Sequence, residues 1–117
     1  MTVAAVREAL AATVLTPGRE AAAPLRGAIA SDMMSDVLAF GASGSLLLTG
    51  STNPQSVRTA ELADIAVICY VQGKSPSPAS VALATEKGIQ LLATECSLFE
   101  ACGRLHAGGL RGCAPRT

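Results

Sequence analysis

The sequence predicts an α/β chain folded as a single three-layer domain, with a small, mostly parallel sheet of about four strands and flanking helices. Three observations carry that prediction. Short apolar runs alternate with capped, helix-forming stretches, the pattern of βαβ crossovers. Ile65 to Val71 (IAVICYV) is continuously apolar and rich in β-branched residues, as expected of a strand covered on both faces. The chain has 117 residues, enough for one domain and too few for two.

The elements follow in order. Val3, Val6, Leu10 and Val14 recur at spacings of three and four and predict a first helix from Thr2 to Leu15, stopped by Thr16-Pro17-Gly18. Arg19 to Leu25 reads as a connector, so residues 1–25 form a leading helix and linker. The core is expected over 27–110. Gly27 to Ala30 is the first strand, and Ser31-Asp32 is a cap signal for a helix from Met33 to Phe40, ended by Gly41. Leu46 to Thr49 is the second strand. Asn53 caps and Pro54 opens a helix reaching about Ala63, because proline is favoured at the first helical position. Ile65 to Val71 is the third strand. Ser77-Pro78 repeats the cap-plus-proline start of a helix ending at Lys87-Gly88. Ile89 to Ala93 is the fourth strand. Ser97 and Glu100 fit a capping box for a last helix to about Ala107, ended by Gly108-Gly109. Leu110 to Thr117 reads as a frayed tail, with 111–117 outside the core.

Composition excludes several function classes. Half of the residues are hydrophobic and 15% are charged, which argues against disorder. Net charge is zero, and the mild basic excess at Arg104, Arg111 and Arg116 is no duplex-binding face. Tyr70, Phe40 and Phe99 are too few to form a stacking platform for single strands. No nucleic acid and no membrane partner is therefore expected, since no apolar run approaches a span and Arg7 and Glu8 interrupt the leading helix. The expected compartment is the cytoplasm, where the four cysteines stay reduced.

The candidate site lies at the carboxyl ends of the strands, where open α/β sheets bind ligands. Thr49, Gly50, Ser51, Thr52 and Asn53 form a polar loop before a helix N-terminus, a setting that favours anions. The same residues also make an ordinary capped loop, and they contain neither a Walker A string nor Gly-x-Gly-x-x-Gly. Ser31 and Asp32 follow the first strand, Gly73 and Lys74 the third, and Thr94 the fourth, so a parallel sheet brings all of them to one edge. Lys74 would meet a phosphate, and Asp32 a ribose hydroxyl or the Lys74 ammonium. Taken singly, Asp32 is a helix-start carboxylate and Lys74 a solvated loop charge. Arg58 either folds back toward the loop or pairs at the surface with Glu61 or Glu20, the second being favoured.

Catalytic and metal readings are weak. Cys69 is a buried strand residue. Cys102 and His106 share a helix face, and Cys96 and Cys113 are near in sequence, but no Cys-x-x-Cys occurs and a closed zinc site takes four ligands. No metal or cofactor is assigned. Cys96 or Cys102 as a nucleophile lacks a placed base. Asp32, Asp36 and Asp64 make no convincing carboxylate pair.

The runs SDMMSDVLAFG, LLLTGSTNPQSVRTAELADIAVICYVQGKSPSP and LATEKGIQLLATECSLFEACGRL resemble the DRTGG-domain family, over about residues 27 to 110. The likeness is to small stand-alone members related to the N-terminal domain of HPr kinase/phosphorylase. The naming string Asp-Arg-Thr-Gly-Gly does not occur; the nearest pieces are Arg58-Thr59 and Thr49-Gly50. The resemblance implies an α/β regulatory domain, in some members a sensor of adenine nucleotides. Stand-alone members tend to be coded beside iron-hydrogenase or electron-bifurcating oxidoreductase genes. Two functions are thus expected. One is a non-catalytic regulatory module that binds a small anionic ligand such as an adenine nucleotide through Ser31, Asp32, Thr49, Gly50, Ser51, Asn53, Arg58, Gly73, Lys74 and Thr94. The other is a ligand-free interaction subunit assisting a redox enzyme complex. A homodimer or a partner protein is expected, the first helix being a reasonable contact surface for the regulatory module and a contiguous exposed apolar patch elsewhere the surface of the interaction subunit.

Overall fold

The computed structural model describes residues 1–113 except Arg19 and Ala21. The expected connector at those two positions and the tail over 114–117 lie outside the described residues. The chain runs α1 (Val3–Leu10), β1 (Thr13–Val14), β2 (Ala28–Ala30), α2 (Met34–Phe40), β3 (Leu46–Thr49), α3 (Gln55–Leu62), β4 (Val67–Tyr70), α4 (Pro78–Lys87), β5 (Gln90–Ala93) and α5 (Leu98–Ala107). The four expected strands, β2 to β5, are all present and parallel to one another. The sheet order is β1-β5-β4-β3-β2.

Side-chain alternation divides the core into two layers, one on each face of the sheet. Leu46, Leu48, Val67, Cys69 and Leu92 pack on one face with Val3, Val6 and Leu10 of α1 and Ala101 and Leu105 of α5. Leu47, Ile68, Tyr70 and Leu91 pack on the other with Val37 of α2, Val57 and Ala60 of α3 and Ala84 of α4. Every residue of β3 and β4 is buried, which is why these runs read as continuously apolar.

Two elements differ from expectation. The first helix stops at Leu10, where Ala11 turns left-handed (φ 48°), and Thr13–Val14 becomes a fifth strand, antiparallel to β5. Val14 fits the helical stripe, but the β-branched Thr13-Val14 pair is better used capping the open edge of β5; Leu15 N–H extends the ladder to Leu91 O at 2.8 Å. The expected frayed tail is docked as far as Cys113. Leu110 is buried, Arg111 O accepts from Ala28 N–H at 3.0 Å, and Cys113 N–H donates to Ala28 O at 2.9 Å. Part of the outer edge of β2 is thereby covered.

The expected caps of α4 and α5 form, whereas the N-caps of α2 and α3 are Met33 and Pro54, neither with a side-chain cap bond. Ser77 accepts from Ser80 N–H ahead of α4, which ends on left-handed Gly88. Ser97 accepts from Glu100 N–H ahead of α5, while the Glu100 carboxylate turns to Arg104 instead of closing the capping box. Among the described residues, no helix is long and apolar enough to cross a membrane.

Candidate functional site

The carboxyl ends of β2, β3 and β4 gather part of the expected cluster. Asp32 is the hinge of it. Sequence reasoning offered Ser31-Asp32 as a helix cap, but the N-cap of α2 is Met33, which makes no side-chain cap bond. Ser31 Oγ instead accepts from Met33 N–H at 3.0 Å, a local turn. Asp32 is thus released to reach across to the next strand end. Its Oδ1 accepts from Gly50 N–H at 2.7 Å and from the Thr49 hydroxyl at 2.9 Å. The Gly50 N–H, then the Thr49 hydroxyl, hold the Asp32 carboxyl below its ordinary pKa; slight burial opposes this and the Lys74 charge adds to it.

Lys74 arrives from the other side. Val71 to Lys74 form a tight turn closed by Lys74 N–H to Val71 O at 3.2 Å, with Gln72 (φ 60°) and Gly73 (φ 69°) both left-handed, the φ pattern of a type I′ turn. The left-handed φ favours glycine at position 73, and a Cβ there would also displace the movable Glu95 carboxylate, 2.5 Å away. The turn folds Lys74 back toward Gly50: a Cβ on Gly50 would lie 3.3 Å from Lys74 Nζ and 3.6 Å from Asp32 Oδ1. A side chain at Gly50 would thus crowd the ammonium by a few tenths of an ångström and touch the carboxylate at ordinary contact distance. They form no ion pair; among the described residues the ion pairs are Arg7–Glu20, Lys87–Glu61 and Arg104–Glu100.

The loop itself spends some of its donors internally. Gly50 N–H is taken by Asp32, and Ser51 N–H donates to Thr49 Oγ1 at 3.1 Å. Asn53 is a structural residue. Its Oδ1 accepts from Gln55 N–H at 2.9 Å, and its carbonyl accepts from the Ser56 hydroxyl at 2.8 Å. Since the single Ser56 hydrogen is used there, the buried Tyr70 hydroxyl donates to Ser56 Oγ at 2.9 Å. Tyr70 of β4 thereby anchors the start of α3. The amides of Thr52 and Asn53 have no protein acceptor among the described residues.

Three expected site residues lie elsewhere. Thr94 is buried, its hydroxyl donating to Leu10 O at 2.7 Å and accepting from Cys96 N–H at 3.2 Å; it ties α1 to the end of β5. Arg58 lines a small cavity between α3 and α4 with Glu61, Glu86 and Lys87. The partners expected for it are taken, Glu61 by Lys87 and Glu20 by Arg7. Gly73 itself borders a separate shallow cavity with Thr13, Thr94 and Glu95. Ser31, Asp32, Thr49, Gly50, Ser51 and Lys74 remain together, with Asn53 framing them.

Burial pushes the Cys69 thiol up to about 12 and raises that of Cys102, the opposite of an activated nucleophile. His106 stands beside Arg111, with Arg111 Nη1 3.4 Å from its Nε2. Among the described residues, no group of three or more His, Cys, Asp or Glu side chains is arranged to hold a metal ion.

No family model matches the chain, and no curated protein does. A solved structure does: the CBS and DRTGG domains of the regulatory region of Clostridium perfringens pyrophosphatase, complexed with the activator diadenosine tetraphosphate. The superposition has a TM-score of 0.71 and covers 89% of this chain. The fold is DRTGG-like. Identity is 15%, so the likeness is one of fold alone. The chain spans 45% of the length of that regulatory region. The strand-end cluster belongs to this DRTGG-like fold, but its strands β2 to β5 lie side by side in chain order. No reversal of strand order opens a deep crevice among them. A cavity of about 550 Å³ lies instead between α5 and β2.

Proposed function

We propose that this chain is a non-catalytic regulatory module of the DRTGG family that binds a small anionic ligand, an adenine nucleotide, at the carboxyl ends of β2, β3 and β4. The observation that carries this reading is the convergence of Asp32, Gly50 and Lys74 from three successive strand ends on one glycine. An ammonium with no ion-pair partner among the described residues, on the same edge as the loop before α3 whose Thr52 and Asn53 amides have no protein acceptor there, suits a phosphate. The Asp32 carboxylate, already fixed by Thr49 and Gly50, retains lone pairs for a ribose hydroxyl. Thr49 and Gly50 therefore serve the ligand through Asp32, and not as phosphate donors. The comparison supports the reading because its regulatory region was crystallised with an adenine dinucleotide activator.

Calorimetric titration of the intact chain with ATP, AMP and diadenosine tetraphosphate tests it. Binding is expected in the millimolar range or tighter. Lys74→Ala should weaken it about tenfold, the loss of one charged contact. No heat and no thermal shift at millimolar ligand would end this proposal.

A second reading has its own observation. Met33, Leu38, Phe40, Leu62 and Phe99 are large, apolar and exposed, and α2 and α3, which carry three of them, pack side by side. A ligand-free interaction subunit of a redox enzyme complex would use such a surface. The first helix is not that surface, because its stripe of Val3, Val6 and Leu10 is spent in the core. Capture of a defined oxidoreductase by the wild type, lost on Phe40→Ser and Leu62→Ser, together with a silent titration, would favour this second reading.

A further inference from the structure

The two faces of the sheet are not equally covered. Three helices, α2, α3 and α4, lie on one face, while only α1 and α5 lie on the other. α5 packs over β3 and against α1, with a gap between it and Ala28 and Ala30 of β2. The result is the groove of about 550 Å³ between α5 and β2. That volume falls within the usual range for small-molecule sites, roughly 300–1,000 Å³.

The groove has an apolar body and a cationic end. Ala28, Ala30 and Leu48 form its floor, and Phe99, 86% exposed, stands at one end of its wall. His106 and Arg111 stand at the other, where α5 finishes. Phe99 and His106 are separated along α5 by about 10 Å at 1.5 Å per residue. Among the described residues, no Asp or Glu lines the groove. Arg111 is held in place there: its Nη1 donates to His106 O at 3.3 Å, so one edge of the guanidinium caps α5. The rest of its fork is left for an acceptor, and a planar fork matches a carboxylate.

We propose that this groove is a second ligand site, separate from the strand-end cluster, for an amphipathic monocarboxylate with its apolar tail on Ala28, Ala30 and Leu48 and its carboxylate on Arg111. The charge of the lining chooses the occupant: an apolar trough with the Arg111 guanidinium at one end complements a chain or ring bearing one anion.

Octanoate and the tail-matched neutral 1-octanol are the probes, titrated calorimetrically into the intact chain. Octanoate should bind about tenfold more tightly than octanol, and Arg111→Gln should abolish that preference while leaving octanol binding unchanged. Gly103→Leu fills the groove without strain, since a Cβ at Gly103 meets nothing within 4 Å. It should remove binding of both probes while melting at or above the wild-type temperature, because leucine is the better helix former. Equal affinity for the two probes would overturn the proposal, and so would unchanged binding in Gly103→Leu. A third contrary result would be a wild-type dimer that binds neither probe and becomes monomeric in Gly103→Leu. That result would assign the groove to a second copy of the chain.

Discussion

Asp32 shows how a single side chain changes meaning between sequence and structure. Next to a helix start, its carboxylate reads as a first-turn charge. In the fold it is the acceptor that joins β2 to β3, through Gly50 N–H and the Thr49 hydroxyl. A depressed carboxyl pKa has a definite consequence for stability. In the unfolded chain Asp32 titrates near 3.9, and in the folded chain below that. Its contribution is therefore complete above about pH 5 and is lost as pH falls through the folded value. Asp32→Asn keeps an acceptor for Gly50 but has no proton to gain, so its denaturation midpoint should fall less steeply than that of the wild type between about pH 4 and pH 2. Two buried hydroxyls make a contrasting pair. Tyr70 donates to Ser56 at the foot of the loop, whereas Thr59 Oγ1 is buried with no partner. Tyr70→Phe should cost about 1 kcal/mol, and Thr59→Val should raise stability by about 1 kcal/mol, both read from urea unfolding. Neither hydroxyl was assigned a role from sequence, because only the packing of α3 on β4 determines which hydroxyl has a neighbour.

At the scale of elements, what could be read in advance was what local chemistry dictates. Ser77-Pro78 and Ser97 mark their helices to the residue, and the apolar runs of β3 and β4 mark the centre of the sheet. The errors fell at the two edges. There, short segments take their structure from a distant partner: Thr13–Val14 from β5, and Leu110 to Cys113 from β2. A two-residue strand has no period to detect, and a glycine-rich segment reads as a tail until its partner is known. Much of the candidate cluster was legible for the same reason, and Arg58, Gly73 and Thr94 fell outside it. Residues at the ends of β2, β3 and β4 were brought together by the parallel order, while Thr94 was turned inward by the arrival of α1. Docking of the segment after α5 makes a specific prediction. The amides of Ala28 and Cys113, which bond across that edge, should exchange slowly with solvent, and truncation after Gly109 should expose Ala28 and lower the melting temperature. Exchange of Ala28 at the same rate in both chains would mean that the edge is open in solution.

For the whole molecule, layering separates two regions with different chemistry. Strands β2 to β5 succeed one another in order, with α2 to α4 on one face, so successive βα loops line up along a single edge. That edge carries a carboxylate and an ammonium on either side of Gly50. The opposite face, short of one helix, carries the apolar groove beside α5. The likeness to a pyrophosphatase regulatory region concerns the frame that both regions share. The claim that the edge is the nucleotide site is tested most directly by mapping backbone amide shifts on a nitrogen-15-labelled chain as ATP is added. The account predicts saturable shifts at Asp32, Gly50 to Asn53 and Lys74, with the amides of α5 and β2 beside the groove unmoved. Shifts confined to the groove, or none at all at millimolar ATP, would contradict it.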